Sequence, residues 1–427
     1  MSRYERRQRY EWTFRGSKQF LLLSQEGDRV TIRRGVVEPG GDRYDREAST
    51  IERYASGAEA DRAFAAAGVQ ARGEGGRKVS SPKYVWRRHR ELEAMCFAHP
   101  DDPTPWERYA AWLREHADLR GTLAAHVAAE DRTSASELLA THAYELLGTE
   151  HARIEVDYRH GFIVEARLGT DPGTTTLDTL EEATATFLAA PGGRFVERLR
   201  FGLAGVRGDN DWGPTMRAIA VSGGATRIRE LRFDAYANVD SAFDATPIGD
   251  WSDAWAALPS LETLRIRGGG GGSLGALDLP ALRVFVREHA NLRARELDEI
   301  ARASWTSLET LVLDLGSRAN GGEATIAGLR SILRGVGLPA LRHLALQRCE
   351  FPEDVIHELA RSPLLSRIRS LSLRGGTMAS VAASALVDHA RSFEHLTALD
   401  LGGNRLSDAD LARIRAVLPT VRDDSQQ

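Results

Sequence analysis

Cysteine is nearly missing from this chain: Cys96 and Cys349 are the only two in 427 residues, so no disulfide framework holds it together. Paired cysteines and His-x-x-x-His pairs at zinc-ligand spacing are absent as well, and neither a metal nor a cofactor is expected. Lysine stands only at Lys18, Lys78 and Lys83, every other base being arginine. No apolar run approaches the ~18–20 residues that cross a bilayer, which excludes a membrane-spanning helix. The N-terminal residues 1–12 carry charge but no apolar stretch of the kind a secretory leader needs, so a cytoplasmic protein is expected. Catalytic motifs are equally scarce. Gly270-x-Gly272-x-x-Gly275 and Gly271-x-Ser273-x-Gly275 match nucleotide-binding and hydrolase patterns by letters, but both require a helix to open next. Here Ala276 to Pro280 leads toward a strand, so the pentaglycine Gly268–Gly272 reads as a flexible loop and the chain as a non-enzyme.

What the chain does have is a repeated apolar phrase. An aliphatic residue, two free positions, an apolar residue, one free position and a second apolar residue recur nine times. Strong copies are Leu261/Leu264/Ile266, Leu308/Leu311/Leu313, Leu341/Leu344/Leu346, Ile368/Leu371/Leu373 and Leu396/Leu399/Leu401. Weaker copies are Ile163/Ala166/Leu168, Val196/Leu199/Phe201 and Ile228/Leu231/Phe233; the poorest, Leu282/Phe285/Arg287, ends on a charge. Steps of about 21–33 residues between copies leave room for a return helix. Such helices are legible at Glu353–Ala360, at Ala379–Ala390 and after Ser407. This pattern is that of a leucine-rich repeat, predicting an α/β solenoid similar to the ribonuclease-inhibitor horseshoe over residues 158–427. Cys349 and Asn404 fall where such repeats place a buried Cys or Asn beneath the strand.

Two segments precede the repeats. In residues 1–76, Phe20 to Leu23 and Val30 to Arg33 alternate like strands around the Gly27-Asp28 turn, and Ser56 with Glu59 forms a helix-start signal. Glu11-Trp12-Thr13-Phe14, Lys18-Gln19-Phe20, Val30-Thr31 and Ala63-Phe64 resemble a WGR domain, a small α+β module found in poly(ADP-ribose) polymerases, where it contacts DNA ends. The signature tripeptide is degenerate: Arg34 and Val36 stand where the family has Trp and Arg, and Gly35 is retained. Residues 77–90 form a basic linker. Residues 91–157 are helical, with Trp106, Tyr109, Trp112 and Leu113 on one face. Pro100-Asp101-Asp102, Tyr109-Ala110-Ala111-Trp112-Leu113 and Arg120-Gly121 resemble the repeat-companion domain that precedes leucine-rich repeats in many bacterial proteins. That resemblance implies a cap over the first repeat's apolar edge.

Charge points to two candidate surfaces. Residues 1–90 hold 20 Lys+Arg against 12 Asp+Glu within a chain of net charge −4, so the remainder is acidic. Arg33, Arg34, Lys78, Trp86, Arg87 and Arg88 are therefore candidate nucleic-acid contacts, through phosphate neutralisation and base stacking. On the repeats, the free position between the last two apolar residues reads Arg167, Arg200, Arg232, Arg265, Val286 and Val312 in succession. With His343, these residues would stack on the concave sheet as a partner-binding face. The expected function is a scaffold or adaptor that binds a protein bearing an acidic patch; the alternative is a nucleic-acid-associated regulator acting through residues 1–90.

Overall fold

The computed structural model describes residues 6–14, 17–26, 29–37, 44–55, 77–79, 87–149, 153–169, 179–203, 211–222, 225–234, 247–288 and 291–423, together with 59, 62–63, 66–67 and 70. The chain divides into two compact units, residues 1–164 with 173–195, and residues 165–172 with 196–427.

The first unit opens with strands β1 (Arg6–Phe14), β2 (Ser17–Glu26), β3 (Arg29–Val37) and β4 (Tyr44–Arg53), each antiparallel to the next. Leu21, Leu23 and Val30 bury there with Ala67. Strand β5 (Arg77–Val79) returns to the free edge of β1, where Lys78 pairs with Tyr10. Residues 77–79 therefore belong to the sheet rather than to a linker, because the unpaired N–H and C=O groups along the edge of β1 template the addition of a further strand. The helix expected from Ser56 falls largely outside the described residues.

Four helices follow, Arg90–Ala98, Pro103–Glu115, Leu119–Ala128 and Arg132–Thr141. Asp102, Asp118 and Asp131 cap the last three by accepting first-turn amide protons, which is why these acids sit immediately before each apolar run. Trp106, Tyr109 and Leu113 recur at helical spacing and bury in one cluster with Cys96, Phe162 and Phe195. Tyr109 donates from its hydroxyl to Glu93 Oε1 at 3.0 Å, and Arg88 and Arg194 each reach Glu93 Oε2 at 2.9 Å. Strand β6 (Ile154–Arg159), the first residues of β7 (Phe162–Leu168) and the helix Leu180–Ala189 also belong to this unit.

The second unit is a parallel sheet whose strands run side by side almost in chain order. After the end of β7 come β8 (Arg198–Phe201), β9 (Glu230–Phe233), β11 (Thr263–Arg267), β13 (Val284–Glu288), β14 (Thr310–Asp314), β15 (His343–Gln347), β16 (Ser370–Ser372), β17 (Ala398–Asp400) and β18 (Val421–Arg422). Ala166, Leu199, Leu231, Leu264, Phe285, Leu311, Leu344, Leu371, Leu399 and Val421 are direct register partners in that order. All ten are buried. Each phrase of the sequence is thus one strand, and β18 adds a tenth strand too short to show the phrase. The expected return helices are present at Pro352–Ala360, Ser380–Asp388 and Asp408–Val417.

Two local features depart from the expected pattern. Gly269–Ser273 is not a loop but a strand, β12, parallel to β10 (Pro247–Asp250) in a separate two-stranded sheet. Glycine is required there: at Gly272, where φ is +152°, a Cβ would stand 2.2 Å from the Gly249 carbonyl oxygen. The run keeps two backbones close, and a β-propensity reading has no signal for that. The charged residue of the poorest repeat, Arg287, is fully buried and ion-paired with Glu296 on the helix Ala294–Arg302. Its Nη1 also donates to Gly268 O at 3.2 Å and Glu288 O at 2.7 Å. Removing one partner of such a pair leaves an uncompensated buried charge. Glu296→Ala therefore costs about 3–5 kcal/mol in urea unfolding, whereas Arg287→Leu combined with Glu296→Leu recovers most of that loss.

Glu93 makes a pH-dependent contribution to the first unit. Burial raises its carboxyl pKa, but hydrogen bonds from Arg88, Arg194 and Tyr109 outweigh that and hold it below the usual carboxylate range. A group whose folded pKa is depressed stabilises fully above its unfolded pKa, and the contribution drains away as pH falls through the folded value. The wild-type urea midpoint should thus fall on acidification through the carboxylate range. Glu93→Gln, already weaker at neutral pH, should lose less over the same window.

Candidate functional site

Within the second unit, side chains alternate across the strands, so one face carries the buried phrase residues and the other carries the free positions. The row between the last two phrase residues runs Arg167, Arg200, Arg232, Arg265, Val286, Val312, Ala345, Ser372, Asp400 and Arg422, each the direct register partner of the next. The row two residues earlier runs Glu165, Arg198, Glu230, Thr263, Val284, Thr310, His343, Ser370 and Ala398 in the same manner. The structure brings together all seven residues expected on this face. The first row is graded, with arginines at one end, valines in the middle, then Ala345 and Ser372, and the charged Asp400 and Arg422 at the other end.

Like charges on adjacent strands repel, and the sheet answers by interleaving carboxylates. Glu165 takes Arg198 Nε at 2.7 Å and Arg200 Nη1 at 3.4 Å. Asp234 receives a two-pronged fork from Arg232, Nε at 3.1 Å and Nη2 at 2.9 Å, while Arg232 Nη1 lies 3.5 Å from Glu230. The Asp234 hydrogen bonds lift the Arg232 pKa above its ordinary value despite partial burial. Arg267 lies 3.7 Å from Glu288. Arg265, half-buried, makes no hydrogen bond or ion pair among the described residues. Arg200 commits only Nη1, and its Nε is buried without an acceptor. The arginines are therefore unequal. Arg232 is spent, while Arg200 and Arg265 keep donors to offer.

Val286 differs from the expectation: in register between Arg265 and Val312 on the neighbouring strands, it is 5% exposed rather than displayed. Val312 and His343 remain accessible and line a groove of about 420 Å³ with Ala345, Ser372, Asp400 and Arg422. The hollow exists because Ala345, Ser372 and Ala398 are small where other strands carry valine or arginine. Its polar wall is ordered: His343 Nδ1 and Ser370 Oγ share a hydrogen bond at 2.7 Å, and Ser372 Oγ donates to Asp400 Oδ2 at 3.2 Å. Asp400 Oδ1 accepts the Gly402 amide proton at 3.0 Å and lies 3.7 Å from Arg374 Nη1. Arg422 escaped the sequence reading because its strand has only two residues.

The N-terminal candidates fall on different elements. Arg33 and Arg34 are consecutive positions of β3, opposite Leu22 and Leu21 of β2. Lys78 sits on the edge strand β5. The Arg88 guanidinium is bound to Glu93, and the Arg87 backbone is tied by its amide to Asp118 Oδ2 at 3.2 Å and by its carbonyl to Arg120 Nη2 at 2.5 Å. Asp118 and Arg120 thus hold the backbone of the basic linker at Arg87. Trp86 lies outside the described residues. Among the described residues no group of three or more His, Cys, Asp or Glu side chains is placed to hold a metal ion, and no helix is long and apolar enough to cross a membrane. Burial pushes both thiols, Cys96 and Cys349, up to about 12, so neither is a ready nucleophile.

No family model matches the sequence, and no curated protein matches it either. Among solved structures, a Bacteroides fragilis protein determined by a structural genomics consortium is similar with a TM-score of 0.51 at 15% identity, covering 98% of this chain and 96% of that one. The two share a fold. Internalin C2 of Listeria monocytogenes is similar over 67% of this chain and 92% of its own, at 16% identity and a TM-score of 0.27, a match too loose to argue from.

The inequality of the arginines has a direct consequence for stability. Replacing Arg232 with alanine strands Glu230 and Asp234 beside each other and should cost about 1 kcal/mol, discounted for partial exposure. Arg265→Ala, which removes no ion pair, should stay within about 0.5 kcal/mol of wild type. Urea denaturation of the two variants measures the difference.

Proposed function

We propose that this chain is a non-enzymatic scaffold or adaptor that binds a protein partner through the open face of its parallel sheet. In this reading the second unit is a leucine-rich-repeat solenoid of the ribonuclease-inhibitor type, the open face is its concave side, and the partner presents an acidic patch to Arg200 and Arg265. The helices from Arg90 to Thr141 act as a repeat-companion cap, and the degenerate WGR-like head serves as a second docking module in a cytoplasmic protein. The observation that carries the reading is the unbroken row from Arg167 to Arg422, in which Arg200 and Arg265 keep uncommitted donors near an accessible valine and a groove. Ordered variation of charge and size along a rigid sheet suits recognition of a macromolecule better than enclosure of a small substrate.

The engagement of Arg88 by Glu93 speaks for the protein partner over nucleic-acid binding by the first ninety residues, since a guanidinium already neutralised releases few counterions on meeting phosphate. The deciding experiment is affinity capture from a lysate of the source organism, with and without nuclease, comparing wild type and Arg200→Glu/Arg265→Glu. A protein retained by wild type, insensitive to nuclease and lost from the folded variant is the expected result. Capture that ignores the variant but vanishes with nuclease overturns the proposal.

A further inference from the structure

The charge arrangement on the sheet specifies more than an acidic partner. Arg200 on β8 and Arg265 on β11 are separated by one strand, β9, so their Cα atoms stand about 10 Å apart at the ordinary strand spacing. Between them Arg232 is locked by Asp234 and Glu230. Along this row the donors of Arg200 and Arg265 thus flank a spent guanidinium, while Arg198, one row away on β8, gives only its Nε to Glu165. Past Arg265 the row turns to Val286 and Val312 and then to the groove at Ala345 and Ser372.

A ligand matching this order is linear. An extended peptide rises about 3.3 Å per residue and turns every second side chain to the same side, so two acidic residues at i and i+2 present carboxylates about 7 Å apart. Long arginine arms converge readily on that spacing: Arg265 can offer a carboxylate two parallel N–H bonds from its fork, and Arg200 can offer its uncommitted Nη2. Continued along the same line, the peptide would place its next side chains over Val312 and then into the groove. A phosphate backbone fits worse. Glu165, Glu230, Asp234 and Glu288 share the face with the arginines. They would repel phosphates at every step, yet they can accept hydrogen bonds from the amides of a peptide.

We infer that the open face binds an extended peptide segment whose Glu-x-Glu or Asp-x-Asp pair is held between Arg200 and Arg265, with Arg232 as a fixed, non-contacting spacer and a following apolar pair running over Val312 into the groove at Ala345 and Ser372. This inference rests on the reading that the open face of the sheet binds protein.

The test is fluorescence anisotropy on the full chain. The probes are fluorescein-labelled peptides with a Glu-x-Glu pair at varied distances from a Val-x-Val pair, the same peptides with lysine for glutamate, and a labelled single-stranded oligonucleotide. At least one glutamate peptide should bind, the lysine peptides should not, and Arg200→Ala/Arg265→Ala should weaken binding by about tenfold or more. Arg200→Lys/Arg265→Lys should recover part of the affinity, because charge returns without the fork. Circular dichroism of each variant establishes that it is folded. Failure of every glutamate peptide, equal binding by the folded double-alanine variant, or preference for the oligonucleotide overturns the inference. If the peptides fail while affinity capture still loses a protein on Arg200→Glu/Arg265→Glu, the inference falls and the protein-binding reading stands. If capture loses nothing, that reading falls too.

Discussion

Register is the constraint on which the second unit depends. Each strand of the large sheet from β7 to β18, the β10–β12 pair standing apart, sets its central residue directly beside that of its neighbour. A slip of one residue would turn every leucine of that strand outward and every arginine or serine inward. Burying the phrase residues, at about 1.5–3 kcal/mol for each large aliphatic or aromatic side chain, therefore fixes more than stability. It forces the intervening positions into straight rows on the opposite face. The row that runs from Arg167 to Arg422 is a by-product of core packing, and its chemistry can vary without cost to the core.

The exceptions within the core show how firmly the register is held. Arg287 occupies a slot that leucine, isoleucine or phenylalanine fills on other strands, and it is tolerated because Glu296 and two carbonyls satisfy it there. Beneath β16 and β17, Asn404 donates to the Leu373 and Leu401 carbonyls at 2.7 and 2.8 Å and accepts the Met378 amide proton at 3.1 Å. The equivalent place two repeats earlier is filled by Cys349, fully buried, whose carbonyl accepts from the Thr377 amide at 3.0 Å. Polar groups enter this interior where the backbone leaves donors or acceptors to be met.

Much of this was legible in the sequence, and the failures are physically informative. The parallel strands could be read because an apolar spacing of three then two is rare outside such repeats, and the arginine row followed from side-chain alternation alone. The strand Gly269–Ser273 could not be read, since what selects glycine there is the approach of a second backbone at Gly249. Val286 looked like a contact residue, because a linear pattern shows which face a side chain takes but not how exposed it is there. Likewise the four arginines looked equivalent. Their difference comes from Asp234, two residues beyond Arg232, and from Glu165, one strand away from Arg200. Neither distance belongs to the repeat's own spacing.

That inequality also bears on how a charged sheet face can exist at all. Four guanidiniums on adjacent strands without compensation would oppose the pairing that creates the row. Four carboxylates full enough to neutralise them would leave nothing to recognise a partner. The arrangement found lies between these limits. Arg232, the middle of the three, is neutralised most completely, so the charges left over sit two strands apart where their mutual repulsion is weaker. Stability of the sheet and spacing of the free donors are thus set by the same interaction, the fork of Arg232 on Asp234. A surface tuned in this way discriminates by distance between charges as well as by sign, and such discrimination is available only to a sheet whose register cannot slip.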